Sequence, residues 1–316
     1  MHPAKSVIFF TTASGAGYGM LIWLAVFAGL GWLPAGQLFG FIAFAIAFIL
    51  VAGGLLSSTF HLGHPERAWR AMSQWKTSWL SREGLIAVLT FIPTGLFAAG
   101  WVFLGRNDGA LLMLGAAGAL MSLMTVYCTA MIYASLKAIP AWSNVWTPPA
   151  YLVLSLATGA VLVTFISAVF GLDTVQPMIV TALIALAAAL AIKLAYWSAR
   201  SGAAPVSTSA SATGMDRFGK VTLIEAPHSE SNYLMEEMGF RIARKHASKL
   251  RAYAIGLGFL LPLALLAAVG WTQLPMPEIW LGVAVLSCAF GIIAERWLFF
   301  AEARHVVTLY YGETSA

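Results

Sequence analysis

Eight long apolar blocks dominate this chain, at about 7–32, 37–59, 84–104, 110–135, 150–171, 175–197, 252–271 and 279–301. Each is rich in Leu, Ala, Val, Ile and Phe and is about 20 residues long or longer, the length that crosses a hydrocarbon core at ~1.5 Å per residue. Within lipid only a helix satisfies its own backbone donors and acceptors, so each block is expected to be a transmembrane helix. The fold class read from this is all-α: a bundle of eight transmembrane helices forming a single transmembrane domain over 1–316, with one long loop at 200–251. Composition agrees, since only 10% of residues are charged and 60% are hydrophobic, against about 25% charged in soluble domains. The first block is too long for the apolar region of a signal peptide and has no clear cleavage site, so it is expected to be a span. Recurrent small residues, as in Gly15-Ala16-Gly17 and Gly115, Ala116, Gly118, suit close helix–helix approach.

An even number of spans puts both termini on one side, here called side A. Its connections are 60–83, 136–149 and 198–251. Side B has only short turns near 33–36, 105–109, 172–174 and 272–278. Arg106 is the single side-B member of the 18 Lys and Arg residues. Lys5, Arg67, Arg70, Lys76, Arg82 and Lys137 fall on or beside short side-A segments. The positive-inside rule therefore predicts that side A, with both termini, is cytoplasmic, in a bacterial inner membrane. The net charge of +5 is explained by orientation in the membrane and calls for no nucleic-acid partner.

The long loop divides in two. Residues 201–214 are rich in Gly, Ala, Ser and Thr and read as a flexible linker. Residues 231–251 read as an amphipathic helix, with Leu234, Met238 and Ile242 on one face and Arg241, Lys245 and Lys249 elsewhere. Two readings stand for it: a helix lying on anionic lipid, and a docking surface for a soluble partner.

Three side-A segments carry chemistry. In the first, STFHLGHPERAW at 58–69, His61 exchanges a proton near neutral pH and Arg67 offers a rigid fork of donors. Trp69 is an amphipathic ring suited to the interface, and His64 is a second imidazole. Such a set suits a quinone head group, whose carbonyl needs a donor and whose reduction needs protons; it equally suits a helix end stopped by Pro65 with Arg67 on lipid phosphate. In the second, AERWLFFAEARH at 294–305, Arg296 lies sixteen residues above Trp280, about 24 Å up the helix and near side A. Glu295 and Arg296 fall inside an apolar run, where ionisable groups are costly: a functional site or a salt bridge accounts for them. His305 follows on the same face, and Arg82-Glu83 opens the third helix there. The third segment, WSNVWTPP at 142–149, offers Trp142 and Trp146 as interface anchors or as the wall of a ligand pocket.

Acidic, basic and His residues are missing from mid-depth of every block. That argues against an ion pump, a charged-solute transporter and a transmembrane pair of b-type haems. Cys128 and Cys288 lie singly in apolar blocks, so no iron–sulfur cluster, structural zinc or other metal site is expected in this chain.

HLGHPERAW at 61–69, VWTPP at 145–149 and ERWLFF at 295–300 with RH at 304–305 resemble the membrane anchor subunits of the dimethyl sulfoxide reductase type. These belong to the wider group of polysulfide-reductase-like quinone-interacting anchors. The opening HPAKSVIFFTTASGAGYG, the second motif histidine and the EAPHSESNYLMEEM loop are more similar to the anchor of membrane-bound sulfite dehydrogenase. The resemblance implies a three-subunit complex with a molybdopterin catalytic subunit and an iron–sulfur electron-transfer subunit on the cytoplasmic side. It implies that ubiquinone or menaquinone is the anchor's substrate, that no haem is held, and that no residue of this chain acts on the terminal substrate. By position in the motifs it assigns the quinone site and its proton transfer to His61, Arg67, Glu83 and Arg296. The wider pocket would include His64, Trp69, Trp142, Glu295 and His305. The preferred direction is sulfite oxidation with quinone reduction; the alternative is a reductase of S- or N-oxides that oxidises menaquinol. A transporter of a neutral solute is the rival of another class; it would need inverted repeats and broken helices, and no repeat is evident. An anchor with a dead quinone site remains a further reading.

Overall fold

The computed structural model describes residues 5–61, 64–201, 207–225, 246–272 and 274–315, with side chains at all of these except 60, 61 and 201. Eight helices are long and apolar enough to span a bilayer. They are α1 (Lys5–Gly29), α2 (Gln37–Ser57), α3 (Trp79–Leu104), α4 (Gly109–Ala134), α5 (Thr147–Val169), α6 (Val175–Ser201), α7 (Ala247–Trp271) and α8 (Pro277–Ala301). The chain is thus an integral membrane protein of the expected class.

Local chemistry sets the helix ends. Ser78 caps α3, its hydroxyl accepting from the Ser81 N–H at 3.4 Å. The helix stops where Gly105 turns left-handed at φ 63°. Pro148 and Pro149 occupy the first turn of α5, where a missing N–H costs nothing. In α7 the turn Gly256–Leu260 widens, so that the Leu261 N–H reaches back five residues to the Gly256 carbonyl. Pro262, which has no N–H to give, follows directly.

The core is organised around α1, the most enclosed span, with 67% of its apolar window buried. It packs against α2, α4, α5 and α8, so its hydroxyls at Thr11, Ser14 and Tyr18 face protein and not lipid. Glycines permit the tightest crossings. A Cβ on Gly159 would lie 2.1 Å from the Gly19 carbonyl carbon, and one on Gly291 would lie 2.0 Å from the Gly258 nitrogen. Backbone therefore meets backbone between α1 and α5 and between α7 and α8. Trp23 of α1 adds an indole N–H bond to the Leu156 carbonyl of α5 at 2.8 Å.

Two expectations about the long loop change. Part of the segment read as a linker is a short capped helix, Ser209–Thr213, held by reciprocal bonds between Thr208 and Ser211. Residues 247–251, read as the end of an amphipathic surface helix, are the first turn of α7. They join it because Arg251 has a partner there: its guanidinium donates to Glu302 at 2.7 Å, and Arg200 from α6 donates to the same carboxylate at 2.8 Å. Residues 231–245 lie outside the described residues.

Candidate functional site: a buried ionic network at the side-A end of the bundle

All five charged side chains that are buried among the described residues, Glu83, Lys193, Glu295, Arg296 and Glu302, lie toward the side-A ends of their helices. Three form a compact group between α6 and α8. The Glu295 carboxylate, wholly buried, is met on one oxygen by the Lys193 ammonium, and on the other by Arg296 Nε at 2.8 Å. Lys193 and Arg296 are 1% and 2% exposed. Two cations thus share one anion. Aromatic faces carry part of the excess positive charge: Lys193 Nζ lies 3.9 Å from the Tyr196 ring centroid and the Arg296 guanidinium 4.0 Å from that of Tyr151.

Glu83, in the first turns of α3, is buried and accepts from the Thr129 hydroxyl of α4. The Thr125 hydroxyl, one turn deeper, lies 3.3 Å from that of Thr90. Tyr133 connects the two groups. It lies within electrostatic reach of Glu83 and Arg296, stacks on Tyr151 at 5.7 Å and meets Phe299 edge-on at 5.6 Å. Tyr18 of α1 is also within reach of Glu83. Glu83 of α3 and Arg296 of α8 each lie within electrostatic reach of Tyr133.

The motif segment is placed differently. The backbone runs from the short turn Ser58–His61 to the turn Pro65–Gln74. His64, Arg67 and Trp69 are exposed; His64 Nδ1 lies 3.1 Å from the Glu66 carboxylate and Arg67 Nε 3.6 Å from it. Trp69, 65% exposed, lies under the Arg70 guanidinium at 5.6 Å. These residues form a polar, aromatic edge on the side-A surface and do not line the buried network. The His61 side chain lies outside the described residues. Ser81 anchors the segment by donating to the Ala71 carbonyl, and Arg82 by donating to the Trp75 and Lys76 carbonyls at 2.9 and 2.7 Å.

Trp142 packs on the end of α8: its indole N–H donates to the Phe299 carbonyl at 2.9 Å and its ring stacks on Phe299 at 5.8 Å. His305 Nδ1 accepts from the Val307 N–H at 3.0 Å and caps a short turn after α8. The residues that sequence reasoning missed are Lys193, Tyr18 and Tyr151. A single lysine eight positions before the end of α6 reads as one that reaches up to the interface. The one available signal was that Glu295 lies at a similar depth on another helix with the opposite charge.

A small polar cavity of about 20 Å³ lies beside Arg296, room for one water. Thr11, Ser14 and Tyr18 of α1, Thr129 of α4 and Tyr151 of α5 line it with Arg296. The Tyr18 and Tyr151 hydroxyls and Arg296 Nη1 are buried without a well-aligned hydrogen bond. Tyr151 has the Arg296 guanidinium within reach and Tyr18 the Thr125 hydroxyl, so the cavity adjoins a polar group that joins α1, α4, α5 and α8.

The model of the DMSO reductase anchor subunit (DmsC) matches residues 1–311. The sulfite dehydrogenase of Allochromatium vinosum has a subunit that is 34% identical over 330 aligned residues, covering 98% of this chain and 99% of that subunit. The anaerobic dimethyl sulfoxide reductase of Escherichia coli (strain K12) has a polypeptide that is 26% identical over 129 residues, 40% of this chain and 44% of that polypeptide. With eight membrane-spanning helices and a family match along nearly its whole length, this chain belongs to the DMSO reductase anchor subunit (DmsC) family.

Proposed function

We propose that this chain is the membrane anchor of a three-subunit molybdopterin oxidoreductase and exchanges electrons between the quinone pool and an iron–sulfur subunit docked on side A. The observation that carries this reading is the confinement of every buried charge among the described residues to the side-A end of the bundle. A site that must donate hydrogen bonds to a quinone carbonyl, supply or remove protons and lie near an electron donor needs such groups at one face. A carrier working by alternating access would need its site near the midplane.

His61 and Arg67 contribute from the surface segment and Glu83 and Arg296 from the interior. His61 donates to a quinone carbonyl, Glu83 relays protons and Arg296 polarises the site. Side A is cytoplasmic in a bacterial inner membrane, which suits a catalytic dimer on that face. The near-full-length likeness to a sulfite dehydrogenase subunit favours sulfite as the terminal donor. Sulfite takes an oxygen from water to give sulfate, two protons and two electrons; a quinone takes two electrons and two protons to give quinol. Both half-reactions use protons on one side, so the anchor itself translocates none. The reverse direction, quinol oxidation coupled to reduction of an S- or N-oxide, draws support from the family model. Purification of the complex by a tag on this chain separates the two. Sulfite-dependent reduction of a short-chain quinone is expected; quinol oxidation by dimethyl sulfoxide without sulfite activity would reverse the direction, and recovery of the chain without redox subunits would refute the reading.

A further inference from the structure

The segment between α2 and α3 carries three cation–aromatic pairs in a row. The Arg70 guanidinium lies 5.6 Å from the Trp69 ring centroid, the Lys76 ammonium 5.8 Å from that of Trp75 and the Arg82 guanidinium 4.3 Å from that of Trp79. Trp69 and Trp75 are large rings left open, at 65% and 49% exposure. Between 64 and 82 four Arg and Lys residues stand against one acid, Glu66. Glu66 lies beside His64 and Arg67, and Arg82 is engaged with the Trp75 and Lys76 carbonyls. Arg70 and Lys76 remain exposed, with ring faces and no carboxylate beside them among the described residues.

The fold fixes the depth of this segment. Ser81 holds the Ala71 carbonyl, Arg82 holds the turn at Trp75 and Lys76, and Met72 reaches toward Gly84, where a Cβ would lie 3.7 Å from its Cγ. The segment is thus tied to residues 81–84 of α3. That helix has 26 residues, about 39 Å at helical rise. A hydrocarbon core takes about 30 Å, which leaves roughly three residues at each end of a centred span for the headgroup layer. The segment therefore runs along the boundary between headgroups and hydrocarbon and does not stand off into water. Below it α3 turns Leu80, Val88, Ile92 and Leu96 outward, at 52% to 58% exposure, a lipid-facing stripe at helical spacing.

Depth and charge select the occupant. Indole rings with one polar edge favour the level of the headgroups, and unpaired cations there attract anionic lipid. A zwitterionic headgroup brings no net charge to balance Arg70 and Lys76. A soluble partner would come from the water above, whereas the exposed rings continue the lipid-facing stripe of α3. We propose that Pro65–Arg82 is an interfacial strap that binds anionic phospholipid of the side-A leaflet, Arg70 and Lys76 meeting phosphate and Trp69 and Trp75 lying among the glycerol esters. The strap acts on the position of α3 in the membrane and does not depend on the quinone reading.

The test uses the full chain, with the subunits that accompany it on purification, in nanodiscs of phosphatidylcholine and phosphatidylglycerol. A photoreactive phosphatidylglycerol or a photoreactive phosphatidylcholine is added in trace amount, crosslinked and mapped by peptide mass spectrometry. The phosphatidylglycerol probe is expected to label residues 67–80 in excess of the phosphatidylcholine probe. Arg70→Gln with Lys76→Gln is expected to cut that preference about fivefold for each cation removed, about 25-fold for both. Arg70→Lys with Lys76→Arg, which keeps both charges, should retain it. Lys137→Gln, an exposed cation on another side-A segment, should leave it unchanged. Equal labelling by the two probes, or a preference unaltered by the double Gln variant, would overturn the proposal. So would equal loss in the charge-keeping variant, which would trace the effect to folding. Absence of lipid label at 67–80 together with crosslinks from this segment to an accompanying subunit would also overturn it and make the surface a protein contact.

Discussion

Replacing Glu295 with Gln keeps the volume of the side chain and removes the one anion that Lys193 and Arg296 share. Both cations are all but inaccessible to water, at 1% and 2% exposure. The variant therefore leaves two like charges buried side by side with only aromatic faces against them. Removing one partner of a buried pair costs about 3–5 kcal/mol because the remaining charge is uncompensated. Lys193→Met removes a charge from the same cluster but leaves Glu295 and Arg296 as a neutral pair, with Nε 2.8 Å from the carboxylate. Its cost should be much smaller, about 1 kcal/mol, the usual scale for a point substitution. The charge count thus predicts an order: Glu295→Gln is far worse than Lys193→Met, and adding Lys193→Met to Glu295→Gln recovers part of the loss. Heating detergent-solubilised protein and following the monodisperse fraction by size exclusion measures this. At roughly 2–4 °C per kcal/mol, Glu295→Gln should lower the midpoint by on the order of 10 °C. A midpoint equal to or above that of Lys193→Met would refute the assignment of Glu295 as the shared counter-ion.

Three further outcomes follow from the same geometry. Gly159→Leu places side-chain atoms where the Gly19 backbone lies 2.1–2.6 Å from a Cβ; it should force α1 and α5 apart, cost at least about 1–3 kcal/mol and lower the yield of folded protein, measured by fluorescence-detected size exclusion. Thr129→Val removes the donor to the buried Glu83 carboxylate at similar volume; an unsatisfied buried group costs about 1–3 kcal/mol, so the melting midpoint should fall, whereas Thr12→Val, a hydroxyl bonded within its own helix, should change it little. Alkaline phosphatase fused after Asp108 should be active and fused after Thr314 inactive, as the lone side-B Arg106 against seventeen other Lys and Arg residues requires; the opposite pattern would invert the orientation.

The eight spans were legible because lipid leaves a long apolar block one conformation that satisfies its backbone. Their contents were less so. Glu295 and Arg296 stood out as charges in an apolar run, and Glu83 as an acid at a helix start. Lys193 did not, because a lysine near a helix end has a bland explanation, and only the register of α6 against α8 brings its ammonium to Glu295. The buried hydroxyls of Tyr18 and Tyr151 were equally hidden. A tyrosine in an apolar helix reads as packing until its neighbours show that the hydroxyl meets a polar group from another helix. In the other direction, the conspicuous polar run His64–Arg67 is exposed and paired with its own Glu66. Sequence displays charge well, but whether a charge is turned inward depends on how helices distant in the chain meet.

The exchange of electrons between this anchor and quinone on side A is tested most directly at His61. In complex carrying His61→Ala, electron exchange with a quinone analogue and turnover with an artificial dye are measured on the same preparation. Loss of a hydrogen bond to a charged or strongly polar site is worth about 1.5–3 kcal/mol, roughly 10- to 150-fold. Quinone-linked activity is expected to fall by at least that factor while dye-linked turnover, which depends on the partner subunits, persists. Normal assembly with full quinone-linked activity would contradict the proposed role of His61 and, with it, the quinone site on side A.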